Sequence, residues 1–187
     1  LQILWVNMIV DIPIAVALGF DKETKGLMQR APRPVRAPVL SAANWVRICV
    51  QGLVMTAGTL AVYPLAEENF GAATANTMLL TTLSLFHLAA GYLARDQRNT
   101  IFDRDTLPGA TQLRRYGAAL LAIIAVTTIP FLQRIAGTVD LTFAQWSICV
   151  GIASSIVVVE ELIKLVLRRR ERAQSAPTAP VRPAWAV

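Results

Sequence analysis

Asn7 and Asp11 are the residues of this chain whose types and spacing point to chemistry. They lie in the middle of an apolar stretch, residues 1–20, LQILWVNMIVDIPIAVALGF. Four positions apart, they share one face of a helix. Pro13 follows two residues after Asp11. A proline has no N–H, and its ring crowds the carbonyl four residues back, here that of Ile9. The stretch therefore assembles a carboxylate, an amide oxygen and a loosened backbone carbonyl near Ile9. Those are ligands that a hard cation takes. A carboxylate at membrane depth costs on the order of 3 kcal/mol, and it is kept where a cation, a proton or a polar partner compensates it.

The element that must position this pair is a membrane helix. About 20 mostly apolar residues cross a bilayer, and residues 1–20 suffice. The stretch lacks the basic start and small-residue cleavage site of a secretory signal. Composition agrees. The chain has 187 residues, 55% of them hydrophobic, with a mean hydropathy of +0.50. Its apolar residues come in long blocks rather than at a period of 3.6 or 2, which is the pattern of a membrane protein. Further spans are expected over residues 45–65, 72–93, 116–132 and 141–167. The fold class read from the sequence is all-α, a polytopic membrane helical bundle of about five transmembrane helices. Gly52 and Gly58 mark places for close helix packing in the second span.

Charge sets the topology. Net charge is +6 and the pI about 10.0. On a membrane chain this excess belongs to the cytoplasmic loops, so no nucleic-acid partner is read from it. Six Lys and Arg fall in residues 21–47, five in 94–115 and six from Lys164 onward. The turn at 66–71 has none, and the turn at 133–140 has Arg134 alone. Seventeen of eighteen basic residues thus share one side, the cytoplasmic one. The first span runs from outside to inside, and the C-terminus is cytoplasmic. Trp5, Tyr63 and Trp146 fall near the outer ends, Trp45, Tyr92 and Tyr116 near the inner ends, as interfacial aromatics do. The two cysteines, Cys49 and Cys149, stand in apolar blocks with no CxxC or His cluster, so neither a soft-metal site nor a disulfide framework is expected.

Other polar groups inside the spans have plainer readings. His87, the one histidine, reads as a structural hydrogen-bonder. Glu160 and Glu161 stand four and three residues before Lys164, and read as charges snorkelling at a helix end with salt bridges at the interface. Arg168, Arg169, Arg170 and Arg172 read as an orientation signal with attraction to anionic membrane lipids. Residues 171–187 read as a disordered, basic, Ala/Pro-rich cytoplasmic tail.

Residues 5–21, WVNMIVDIPIAVALGFD, resemble the sixth transmembrane helix of the P-type cation-transporting ATPases of the calcium-pump branch. The matching residues are Trp5, Asn7, Asp11, Pro13, Leu18 and Gly19. Residues 28–33, MQRAPR, resemble the segment that follows that helix, with Ala31 in place of its first proline. Thr81-Thr82-Leu83-Ser84-Leu85-Phe86-His87 resembles the eighth helix and Asn99-Thr100-Ile101-Phe102 the R-S-I-F that follows it. Trp146 and residues 161–164, ELIK, resemble the tenth. The resemblance covers residues 1 to about 170. Val10 stands where the two-site sarcoplasmic reticulum type carries a threonine, Ile12 where a glycine is usual, and Ser84 near the place of its eighth-helix carboxylate.

The resemblance implies that residues 1–170 form the C-terminal membrane domain of an ATP-driven cation pump, its sixth to tenth helices. Asn7 and Asp11 would ligate the transported cation, with a backbone carbonyl near Ile9. Ser84, able to give only a neutral oxygen, is the weaker candidate. The cation is Ca²⁺ by the match to single-site calcium pumps, with Mn²⁺ fitting the same residue types. The chain contains no D-K-T-G motif, nucleotide pocket or Gly-rich phosphate loop. Catalysis by this chain alone is therefore not expected, and ATP and Mg²⁺ would act through a catalytic part preceding Leu1. Its partners would be that part, the cation and the membrane lipids. The expected location is the plasma membrane. Two alternatives stand beside this reading: a truncated or split non-catalytic membrane protein acting as partner or scaffold, and a small cation/proton antiporter using Asp11 alone.

The topology has a direct test. With Cys49 and Cys149 removed, Gly71→Cys and Gly109→Cys are expected to react with an impermeant thiol reagent from opposite faces of the membrane. Labelling of both from the same face contradicts the five-span arrangement.

Overall fold

All five apolar stretches fold as helices. A computed structural model describes residues 1–20, 40, 42–95 and 109–174, and among these no strand occurs. The described residues are 89% helical. The first stretch is one helical run: α1 Gln2–Trp5, a π-helical turn Val6–Asp11, and α2 Ile12–Gly19. It is followed by α3 Ala42–Phe70, α4 Ala72–Leu93, α5 Ala110–Thr128, α6 Pro130–Ala136, α7 Phe143–Ala153 and α8 Ser155–Gln174. Asn44–Phe70 is long and apolar enough to cross a membrane as one helix, as is the bent α5–α6 pair taken together. Gln2–Val16 is apolar and shorter.

The boundaries differ from the sequence reading in instructive ways. The third stretch is helical over the expected 72–93. The acidic turn expected at 66–71 is instead the last turn of α3, and Gly71 alone, at φ 84°, joins α3 to α4. α5 begins six residues before the expected 116, because Gly109 at its N-cap and Gln112 in its first turn hold the start. The fourth span does not run straight to residue 132. Pro130 disfavours a helical Ile129, which sits extended at φ −86° and ψ 117°, and then starts α6. The two helices meet at 85°. At this corner the polar groups find partners inside the protein, as lipid-facing backbone must. Gln133 Nε2 donates to the Thr127 carbonyl at 2.7 Å and to Asp140 Oδ1 at 3.0 Å, and Thr138 Oγ1 donates to the Val126 carbonyl. α7 opens on a Thr142–Gln145 capping box. The fifth stretch is broken at Ser154, and its second half, α8, passes the expected domain boundary at 170 and continues to Gln174. Residues 175–187 of the expected tail lie outside the described residues, as do 28–33 and 99–102 of the resemblance.

α4 is the centre. It packs against α3, α5, α7, α8 and the first helical run. Thr77, Met78, Thr81, Thr82, Ser84 and Phe86 are all buried on it. Two approaches to it need the absence of a side chain. A Cβ on Gly58 of α3 would stand 2.7 Å from the Phe86 ring, so Gly58 is what lets α3 lie against α4. A Cβ on Gly91 of α4 would collide with Ile14 Cγ2, so Gly91 is what seats the first helical run.

The helix ends gather into two layers. In one, Gln2 Nε2 donates to the Ala136 carbonyl at 3.0 Å, and Val139 N donates to Thr77 Oγ1 at 3.0 Å. In the other, Tyr116 Oη donates to the Gly91 carbonyl at 3.2 Å, and the Arg115 guanidinium lies 4.8 Å over the Phe20 ring. Residues 1–2, 77 and 136–139 thus share one end of the bundle, and 20, 91 and 115–116 the other. This is the grouping that antiparallel spans joined in series require.

The Gly91–Ile14 contact yields a test. Gly91→Ala is expected to lower stability in detergent by about 1–3 kcal/mol, the usual cost of overpacking. Adding Ile14→Ala should recover part of that loss, because it removes the atoms the new methyl meets. A double variant no more stable than Gly91→Ala in a thermal melt would show that this contact does not seat the first helix.

Candidate cation site

The π turn Val6–Asp11 contains both Asn7 and Asp11. A π turn widens the helix by one residue, so its hydrogen bonds run five residues back. Here the Ile12 N–H donates to the Asn7 carbonyl. Pro13 stands next in line and has no N–H to donate. It supplies nothing to the carbonyl of Met8, five residues back, nor to that of Ile9, four back. The loosening that the sequence places near Ile9 thus takes a definite form, a π turn ending against a proline.

Orientation follows from packing. Val6, Val10 and Ile14 recur every four residues and are buried, Val10 completely. They form the seam by which the first helical run lies on α4 and α5. Asn7 is exposed and Asp11 partly so. Leu4, Met8 and Ile12 are also exposed, each by more than half. The polar pair therefore lies off the buried seam, on a side of the helix that the described helices of this chain leave open. Val10, at the threonine position of the two-site pumps, belongs to the seam rather than to the open side.

Chemically, this is part of a coordination shell. A carboxylate, an amide oxygen and backbone carbonyls can bind a hard divalent cation, but Ca²⁺ takes six to eight oxygens. Among the described residues no group of three or more His, Cys, Asp and Glu converges on any point. Ser84 is buried on α4, and its hydroxyl donates to the Leu80 carbonyl at 2.8 Å. That proton is occupied, while the oxygen keeps a lone pair. His87 hydrogen-bonds as the sequence suggests: Nδ1, carrying the proton, donates to the Leu83 carbonyl at 2.8 Å. Cys49 and Cys149 are both free thiols.

A second polar cluster was not legible as such in the sequence. Glu160 is fully buried, not snorkelling. It is ion-paired with Arg47 of α3 and accepts a hydrogen bond from Gln51 Nε2 at 2.8 Å. The expected local bridge exists one residue on, between Lys164 and Glu161 at 3.3 Å. The available signal was the repeat of four: Arg47 and Gln51 share one face of α3, and Glu160 and Lys164 one face of α8. It was masked because Arg47 also counts as an ordinary loop-end cation.

Comparison with known proteins places the chain. Residues 1–166 match the family described as cation transporting ATPase, C-terminus. The human calcium-transporting ATPase type 2C member 2 is 32% identical over 167 residues, covering 88% of this chain and 18% of that protein. The rice calcium-transporting ATPase 7, plasma membrane-type, is 35% identical over 164 residues, covering 82% of this chain and 15% of that protein. The mouse calcium-transporting ATPase type 2C member 1 is 27% identical and is matched over 93% of this chain and 19% of its own length. The chain spans less than a fifth of the length of these relatives. With its all-helical bundle and its outward polar pair on the first helix, it belongs to the cation-transporting ATPase C-terminal family, as an integral membrane domain of the calcium-pump-like P-type ATPases.

Proposed function

We propose that this chain is the C-terminal membrane part of a calcium-transporting P-type pump and supplies half of its cation site. Asp11 is the dominant ligand, Asn7 the second, and the carbonyls beside Pro13 complete this half. The observation that carries the reading is the π turn: it presents Asn7 and Asp11 off the buried seam of the bundle, at the point where Pro13 withdraws a backbone donor. A lipid-facing carboxylate has no compensating group, so the open side is the place for the helices of the catalytic part to bring the remaining oxygens. α3 to α8 act as the support that holds this helix in place. Ca²⁺ is the transported ion by the names of the relatives, and Mn²⁺ is accommodated by the same oxygen ligands. ATP and Mg²⁺ act on the catalytic part, the pump works at the plasma membrane, and the C-terminus of this chain faces the cytoplasm.

The test is ion-dependent phosphorylation from ATP by the assembled pump, over a range of Ca²⁺ and Mn²⁺ concentrations. Asp11→Asn keeps the side-chain shape and removes the charge. Apparent Ca²⁺ affinity is expected to fall about 100-fold or more, the scale of removing one partner from a buried charge pair. Asn7→Ala should weaken affinity less and leave assembly intact, while Val10→Thr should leave function unharmed. Near-normal affinity for both ions in Asp11→Asn would remove this helix from the site and leave Asp11 a structural residue.

A further inference from the structure

The buried Arg47–Gln51–Glu160 cluster is unexplained by cation transport, and it has a consequence for how the domain is built. α8 carries three charges, Glu160, Glu161 and Lys164, in the part of the chain that the sequence assigns to the last membrane span. Glu160 stands 17 residues after Phe143, the start of α7. At 1.5 Å per residue that is about 26 Å, inside a hydrocarbon core about 30 Å thick rather than beyond it. Two carboxylates inside one span, with Lys164 at its edge, work strongly against its entry into a bilayer.

In the folded domain every one of them is answered. Glu160 is 0% exposed, with Arg47 ion-paired to it and Gln51 Nε2 at 2.8 Å. Lys164 is 2% exposed and pairs with Glu161 at 3.3 Å. The four charges sum to zero. The two pairs differ in kind, however. Glu161 and Lys164 travel on one helix and neutralise each other wherever that helix goes. Among the described residues, Glu160 meets its countercharge on α3, at Arg47. α3 in turn contains Asn44–Phe70, which is apolar enough to cross on its own despite Arg47. α3 therefore enters without help and carries the countercharge that α8 needs. Arg47 lies near the start of α3 and Glu160 past the middle of the α7–α8 run, so two antiparallel spans meet at one depth.

We propose that Arg47 is an assembly clamp: the α7–α8 span is stably held across the membrane only when Glu160 docks on Arg47 and Gln51 of α3. The inference uses the membrane setting of the family and is independent of the cation site, so its failure leaves that reading untouched. It separates from ordinary packing because it assigns opposite effects to the two partners. Removing Arg47 strands a buried carboxylate on a dependent span. Removing Glu160 makes that span more apolar and frees it from dependence.

The experiment uses the full chain in membrane vesicles, without Cys49 and Cys149. One cysteine at a time is introduced at Gly71 or Gln174 and probed with an impermeant thiol reagent. In the parent, Gly71→Cys and Gln174→Cys are expected on opposite faces. With Arg47→Leu, the fraction of Gln174→Cys on its proper face should fall about twofold or more, while Gly71→Cys stays in place. Glu160→Leu alone should keep the parent sidedness. The double variant Arg47→Leu with Glu160→Leu should recover it, and so should the exchange Arg47→Glu with Glu160→Arg. Unchanged sidedness in Arg47→Leu overturns the proposal. So does a loss in Glu160→Leu as large as in Arg47→Leu, or a double variant no better than Arg47→Leu.

Discussion

The position of α4, packed against α3, α5, α7, α8 and the first helical run, is the constraint on which the rest of this structure depends. A helix surrounded by protein in a membrane has no water and little lipid to answer its polar groups, so it must answer them itself. α4 does so at three places, through hydroxyls that bond back to carbonyls one turn earlier, Thr77 to Ala73 and Ser84 to Leu80, and through His87 to Leu83, while the buried Thr81 and Thr82 hydroxyls have no hydrogen-bond partner among the described residues. The Thr77 hydroxyl also serves a neighbour. Thr77 Oγ1 accepts from Val139 N, tying the turn after α6 to the start of α4. Because α4 is fixed, Gly91 and Gly58 become the points at which the first helix and α3 register against it.

From that follows the orientation of the first helix. Its seam of Val6, Val10 and Ile14 is spent on α4 and α5, so the rest of its circumference is open. A regular α-helix repeats every 3.6 residues, and a π turn shifts the faces that follow it. The turn at Val6–Asp11 thus lets the apolar seam continue through Ile14 while Asn7 and Asp11 stay off it. Pro13 limits the disturbance to one side, since α2 resumes at Ile12 and runs regularly to Gly19. A packed bundle and an exposed polar pair are therefore two results of the same packing.

Much of this was legible in residue order because membrane helices announce themselves by apolar length and charge placement. Leu1 to Phe20, the spans and the grouping of their ends were read from those two signals. Asn7, Asp11 and Pro13 stood out because polarity and proline are rare within such blocks. The misreadings arose where a cue read residue by residue was outweighed by helix continuation, a cap or a distant partner. Glu67 and Glu68 suggested a turn, yet α3 absorbs them, since its exposed outer end tolerates charge. The residues before Tyr116 suggested loop, yet Gln112 caps a helix there and is buried. Glu160 suggested an interfacial charge because it reads together with Glu161 and Lys164, while its own partner lies on α3, more than a hundred residues earlier. The π turn itself has no compositional signature.

Asp11 and Glu160 make the final contrast. Both are carboxylates within apolar stretches of a membrane chain, and by burial cost alone they are equivalent candidates for function. The structure separates them by what each faces. Glu160 is walled in by α3 and α8 and meets an arginine and an amide of the same chain, so its charge is spent on holding helices together. Asp11 is partly exposed and directed off the bundle's seam, beside an amide and a withdrawn backbone donor. A carboxylate answered within its own domain stabilises a fold. A carboxylate turned outward on a helix made wider beside it is left for a partner from outside the described bundle, which is the place the proposed cation site gives it.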